Sequence, residues 1–431
     1  MVSLKKYFRK AEVDILTISA FLMAFFLPLH IGISNLFLIL FFVASGYYLF
    51  LKKQYEVRRP KLLLLTLLPV FLLYIFGLFY SSPPFEGIKI IGRNIAFLLC
   101  PLLLFFYNTK DLLRIKKSLF QGIVIGAVIS ILILLVNNFL NYFATRPFPS
   151  FDDEIFNYYY TYYSFSNFLD MHPTYLGAYL IFAISLLLKK LLQNRDIKAL
   201  IISSLIILTV GVIFINSRMI FFLYALVVFS AIMYLGFIFY TQKKIGALSL
   251  IIIVTIAVVF SIIKTLSNTY IFTRLTNELQ WELTEQVDTS YNDKLVADSR
   301  IARWQSTLEA IGEKPIFGYG THTEKDVLEG YYKKNGLQVS FKNRYDSHNI
   351  YLSFMLEYGV FGLSILLLYL LSNLYISLKN RNVQYFLLIF MVCVIGLFES
   401  YLKNNPAITF VAFFGSVFLF SSFPEKLKKE E

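Results

Sequence analysis

The stretch SLFQGIVIGAVISILILLVNNFL, residues 118–140, runs for 23 positions without a charged side chain. At about 1.5 Å of rise per residue, such a run crosses a hydrocarbon layer of roughly 30 Å. Lipid offers no hydrogen-bond partner to an open backbone, so the run must be helical. Lys110, Arg114, Lys116 and Lys117 stand just before it, which marks that end as cytoplasmic under the positive-inside bias.

Comparable apolar runs recur at 13–31, 33–51, 62–80, 88–107, 174–192, 199–215, 219–240, 246–263, 349–378, 384–400 and 407–423. The expected fold is therefore an all-α polytopic membrane protein of about twelve transmembrane helices. Composition agrees: 57% of the chain is hydrophobic and 16% charged, with 45 Phe and 30 Tyr, which excludes an ordinary water-soluble domain. Clusters of Lys and Arg also precede the first run (Lys5, Lys6, Arg9, Lys10) and follow the second (Lys52, Lys53, Arg58, Arg59, Lys61). They return at Lys189, Lys190, Arg195 and Lys198, at Lys243 and Lys244, at Lys379 and Arg381, and at Lys426, Lys428 and Lys429. Every second connection is basic, so an even number of spans with both termini in the cytoplasm is expected. This dispersal accounts for much of the net charge of +13 and speaks against a nucleic-acid partner.

The first run lacks a small-x-small cleavage site and reads as a retained span. Cys100 and Cys393 both fall inside apolar runs, and no disulfide framework follows from them. Four histidines without a Cys/His cluster suggest neither a metal site nor a cofactor.

Three regions follow: helices 1–9 over 1–263, a large outer, periplasmic loop domain over 264–348, and helices 10–12 with a cytoplasmic tail over 349–431. The loop domain is the part polar enough to stand in water. A second outer stretch, 141–171, is rich in Tyr and Phe and suits the headgroup zone. In the loop, Asp298 or Ser299 can cap a helix from Arg300 to about Ile311, ended by Gly312 and Pro315. Ile301, Trp304, Leu308 and Ile311 form its apolar stripe. At about 100° per residue Arg300 lies roughly 60° from the centre of that stripe and Arg303 roughly 120°. Arg300 should thus turn inward and Arg303 stand in water. The later Asp346-Ser347-His348-Asn349 sets His348 at the N-terminus of a long helix, an end that favours an anion unless Asp346 or Ser347 caps it.

The order of these elements resembles the O-antigen ligase and O-antigen polymerase superfamily. The motifs are NSR at 216–218, SRIARW at 299–304, PIFGYG at 315–320 and SHNIYLSFMLEYGVFGL at 347–363. MHPTYLG at 171–177, with His172, is a less specific match. The resemblance implies a transferase of the bacterial inner membrane whose active site faces the periplasm. It would move a glycan from an undecaprenyl-diphosphate carrier to an acceptor hydroxyl, on a lipid A core, a protein or another lipid-linked glycan, without a metal and with inversion. It makes His348 the catalytic base and Arg218 and Arg300 the diphosphate contacts. A polymerase of the same superfamily is the alternative, and a polysaccharide flippase or transporter is the alternative of another class.

Charge logic bears on the same residues. Arg218 sits in a short outer turn against the positive-inside trend, and its planar fork suits phosphate oxygens. Lys89 and Arg93, at i, i+4 spacing, either extend such a pocket or snorkel to lipid phosphates. Glu357 reads as a packing or hydrogen-bond position between close helices, beside Gly359 and Gly362. Glu399 either reaches a sugar hydroxyl or pairs with Lys403. His172 is a further candidate acceptor or sugar contact.

Overall fold

A computed structural model describes residues 2–423, apart from 52–58, 82–83, 145, 147–152, 194–197, 247–248, 251–252, 254–260, 262–263, 266 and 293–294. The expected ninth span, 246–263, therefore lies mostly outside the described residues, as does the basic tail. The helices are α1 (Val2–Phe26), α2 (Ile31–Gly46), α3 (Pro69–Leu78), α4 (Pro84–Asn94), α5 (Ala96–Leu104), α6 (Thr109–Phe143), α7 (Pro173–Gln193), α8 (Lys198–Ile215) and α9 (Arg218–Thr241). Short helices α10 (Tyr270–Leu275) and α11 (Asn277–Glu282) lead to a hairpin of β1 (Thr289–Asn292) and β2 (Leu295–Ala297), paired antiparallel. Then come α12 (Arg300–Glu313), α13 (Glu324–Lys334), α14 (Gln338–Asn343), α15 (Ile350–Lys379), α16 (Val383–Ile395) and α17 (Asn405–Ser421).

Six of the described helices are long and apolar enough to cross a membrane, and five shorter apolar helices accompany them. Each falls on one of the runs read from the sequence. The protein is an α-helical membrane protein, and its surface is organised accordingly. Phe222, Phe229, Met233 and Phe237 of α9 are exposed apolar side chains, while Asn94, Ser130, Asn138 and Asn373 are buried. This inversion of the soluble pattern places apolar surface against lipid. By contrast α17 is buried from Ala407 to Phe420, as a helix apolar on all sides should be.

Contacts group the chain into two compact units. One comprises Met1–Leu27, Ile31–Gly122 and Gln280–Glu431; the other comprises Pro28–His30 and Ile123–Leu279. In the first unit, α1 and α2 form a hairpin, α17 lies against α5, and α15 lies against α3. Arg59, one of the basic residues after the second span, is buried there. Its Nη1 donates to the Phe105 carbonyl at 2.8 Å and its Nε to that of Phe423 at 3.2 Å, so it serves carbonyls that the ends of α5 and α17 leave open. In the second unit, α7 packs on α8 and α9.

The loop stretch 280–348 builds a small core of Ala302, Ala310, Ile311, Leu328, Tyr332 and Leu337, closed by Leu356 of α15. It is locked to that span by a break in the helix. Gly359 has φ 64° and ψ −163°, outside helical geometry. The carbonyls freed at Leu356 and Glu357 accept from the amides of Tyr319 (3.0 Å) and Gly320 (2.7 Å), and the amides of Val360 and Phe361 donate to the carbonyls of Pro315 (2.8 Å) and Ile316 (3.3 Å). The PIFGYG segment thus satisfies the broken backbone, a condition for any irregular chain among apolar surroundings. A Cβ on Gly359 would lie 2.1 Å from the Ile316 carbonyl oxygen. Gly359→Ala is therefore expected to cost about 2–4 kcal/mol, from backbone strain and overpacking together. Gly92→Ala, where nothing lies within 4 Å, should change stability by less than about 1 kcal/mol. Thermal unfolding of the two variants in one detergent would check the contrast.

Candidate active site

Ser299 caps α12, its hydroxyl accepting from the Ala302 amide at 3.3 Å. Asp298, the other candidate, accepts instead from the amides of Asp288 (2.9 Å) and Ser340 (2.7 Å) and ties the hairpin to α14. The buried face of α12 is Ala302, Arg303, Ser306, Thr307, Ala310 and Ile311, while Leu308 is exposed. The expected apolar stripe is thus rotated, and Arg303 is a buried residue rather than a solvated one. Small side chains at 302, 306 and 310 let the neighbouring helices approach closely, so size outweighs hydrophobicity in choosing the face.

Arg300 and Arg303 converge on one carboxylate. Arg300 Nε lies 3.4 Å and Arg303 Nη2 4.0 Å from Glu282 Oε2. Arg300 also reaches Glu399 Oε1 at 3.9 Å and stacks over Phe398, whereas Arg303 lies over the Tyr345 ring. Trp304 donates from Nε1 to the Ser347 carbonyl at 2.9 Å. One helix therefore carries two guanidinium groups and an indole onto the segment that holds His348.

His348 has φ +47°, a left-handed conformation that few non-glycine residues adopt. Its amide donates to Asp346 Oδ1 at 3.1 Å. Its Nδ1 lies 3.4 Å from Asp346 Oδ1 and 3.5 Å from Glu399 Oε2, and its side chain keeps 32% exposure. Two carboxylates thus lie on the Nδ1 side of the ring. Glu399, 11% exposed at its side chain, bridges the imidazole and Arg300. The expected Glu399–Lys403 pair is corrected: Lys403 points to Glu324 (2.8 Å) and Glu357 (2.9 Å).

The helix-end anion site expected beside His348 is also corrected. The α15 cap is Asn349, whose Oδ1 accepts from the amides of Tyr351 (2.9 Å) and Leu352 (3.1 Å). The Ile350 amide donates to the Gly396 carbonyl and the Ser353 amide to the Asn349 carbonyl. The amides of Ile350, Tyr351 and Leu352 are thereby used, so these three orphan donors of the helix end are not open to an anion. The positive side chain nearest the imidazole is Arg300, joined to it through Glu399.

Beneath His348 is a buried polar network that sequence reading missed. Glu324 opens α13 and accepts from Ser347 N (3.0 Å), Ser347 Oγ (2.6 Å), Ser353 Oγ (2.6 Å) and Lys403 Nζ (2.8 Å). Its visible sign was the presence of Lys403 and Glu357 within apolar sequence, since charges there must find partners. Burial alone would raise the Glu324 carboxyl, but the Lys403 ammonium and the serine hydroxyls override it and hold it at about 2. Lys89 and Arg93 stand exposed on α4.

The second unit holds the other candidates. His172 Nδ1 accepts from the Thr174 amide at 3.3 Å, so this imidazole caps α7, and its ring packs against Tyr162, Tyr163 and Tyr175. Arg218 is the first residue of α9, after Asn216 with φ +44°. Arg274 is buried: its Nε donates to the Asn216 carbonyl (2.9 Å), its Nη1 lies 3.2 Å from Glu278, and its guanidinium sits 3.4 Å over the Tyr162 ring. Part of the Tyr-rich stretch is thereby pinned to the NSR turn, while Tyr159 and Tyr163 remain exposed.

Residues 203–367 match the model of a family described as O-antigen ligase. The match supports the superfamily resemblance and includes Arg218, Arg300, Glu324 and His348. An uncharacterized protein of Haemophilus influenzae is 26% identical over 135 residues, 29% of this chain and 32% of that one. The aligned stretch thus spans about a third of that relative's length.

The Glu324 carboxyl is depressed from its ordinary 4.5, so its stabilisation is complete above about pH 4.5 and lost as pH falls toward 2. Acid titration followed by tryptophan fluorescence should show loosening across that window. Glu324→Gln should be less stable at pH 7 and flatter between pH 4.5 and 2.

Proposed function

We propose that this chain is an O-antigen ligase-type glycosyltransferase of the bacterial inner membrane. It would move a glycan from undecaprenyl diphosphate to an acceptor hydroxyl, of a lipid A core or another surface acceptor, at the periplasmic face. The observation that carries this reading is the cluster of His348, Glu399 and Arg300, which sets an oriented base beside a guanidinium. The match of residues 203–367 to a family described as O-antigen ligase supports it.

In this reaction His348 Nε2 takes the proton of the acceptor hydroxyl, while Asp346 and Glu399 on Nδ1 stabilise the imidazolium that forms. The acceptor oxygen attacks the anomeric carbon as the bond from that carbon to the diphosphate breaks. The electron pair leaves on the diphosphate, whose growing charge Arg300 neutralises. Direct displacement inverts the anomeric configuration. The leaving group is already a good one, so the acid carboxyl of a glycosidase is not required. By the resemblance, the step uses no metal. Arg218 is proposed as a further phosphate contact on the motif match, with Lys89 and Arg93 as membrane-side contacts to carrier or lipid phosphates. His172, already engaged as a cap, is proposed only as a sugar-side contact.

Purified protein mixed with a lipid-linked donor and an acceptor should release undecaprenyl diphosphate. His348→Ala should lower that rate about 10²-fold or more. Glu399→Gln should lower kcat by roughly tenfold or more, because the imidazole loses its orienting charge. Product mass separates the readings: glycan on a lipid A core indicates a ligase, and lengthened carrier-linked repeats a polymerase. No carrier release from the parent protein would favour a flippase or transporter and end the transferase reading.

A further inference from the structure

The residue before His348 is held at every polar atom. Ser347 gives its amide and its hydroxyl to Glu324 Oε1, at 3.0 and 2.6 Å, and its carbonyl accepts from Trp304 Nε1 at 2.9 Å. The residue after it, Asn349, is the α15 cap. His348 itself is left-handed at φ +47°, a conformation that persists only where neighbours over-determine it. Glu324 provides that constraint from 23 positions away in sequence, and it is buried. Its second oxygen takes Ser353 Oγ at 2.6 Å and Lys403 Nζ at 2.8 Å. Lys403 also meets Glu357 at 2.9 Å, just before the break at Gly359.

We propose that Glu324 is a positioning residue for the transfer reaction, holding the Ser347–His348 peptide in the left-handed turn that aims the imidazole, with Lys403 as the countercharge that keeps it an acceptor. The proposal rests on the reading of His348 as the base. The hydrogen bonds of Glu324 go to Ser347, Ser353 and Lys403 and not to the imidazole, so its effect passes through the main chain. A carboxylate accepting four hydrogen bonds needs its negative charge, which explains why a lysine stands among apolar side chains at 403. Disturbing this anchor should leave Arg300, which lies on another helix, able to meet the diphosphate. Turnover should therefore fall while donor affinity holds.

The test uses the full-length protein in detergent or nanodiscs, with Glu324→Gln and the milder Ser347→Ala, which keeps the Glu324–Lys403 pair. Expected are a fall in kcat of about tenfold for the first and threefold to fivefold for the second, with donor KM within twofold of the parent. Amide exchange at 346–349 should quicken at least tenfold in Ser347→Ala, while α12 and α13 exchange at parental rates. If Glu324→Gln does not fold, Ser347→Ala decides alone. Parental kcat in the variants, a rise in KM alone, or exchange quickened evenly across the loop would overturn the proposal and reduce Glu324 to a brace. A parent protein that transfers no glycan would instead sink the function itself.

Discussion

A helix that breaks among apolar side chains must hand its freed backbone groups to another part of the chain, and α15 does so at Gly359. The partner is the segment 315–320, which returns four main-chain hydrogen bonds to the two sides of the break. Because that segment directly follows α12, the pairing sets the helix that bears Arg300 and Arg303 against the span that begins beside His348. The two glycines of the motif have positive φ, and a Cβ on Gly318 would come within 2.4 Å of the Leu356 carbonyl oxygen. PIFGYG is therefore a structural latch in this protein. Its glycines face main chain.

Charge follows from this anchoring. Arg300, Arg303, Glu282, Glu399 and His348 are drawn together by elements that the latch holds in place. A guanidinium held by carboxylates at 3.4–3.9 Å, as Arg300 is, is preorganised without being tightly neutralised. Preorganisation of this kind is what stabilises charge that develops only during a reaction. The imidazole is treated likewise, with carboxylates beside its Nδ1.

Burial of ions needs its own justification, since desolvation opposes it. Lys403, Glu324 and Glu357 meet that demand by sharing one ammonium between two carboxylates, with two serine hydroxyls completing the shell. In the second unit Arg274 is treated the same way, by Glu278, the Asn216 carbonyl and the Tyr162 ring. Both arrangements fasten a turn whose neighbouring residue is left-handed, His348 in one and Asn216 in the other. Paired buried charge is thus used in each unit to hold a strained turn in one geometry.

Much of the fold was legible in the chain itself. Long uncharged runs leave the backbone no alternative to helix in lipid, so the apolar helices appear where the runs predict them. The Ser299 cap and the helix from Arg300 follow from local chemistry and were equally readable. The inward face of α12 was not, because small residues allowed an approach that hydrophobicity alone does not reveal, and Arg303 went inside with them. Nor was the use of the Ile350, Tyr351 and Leu352 amides, which depends on Asn349 and on the distant Gly396 carbonyl. The meeting of Glu324, Ser347 and Lys403 joins positions up to 79 residues apart, and only the closed tertiary structure decides such a contact. Periodicity and solvation are properties of a segment and can be read from it. Hydrogen-bond partners of buried charges are properties of the assembled chain, because each is chosen by what else has been excluded from water.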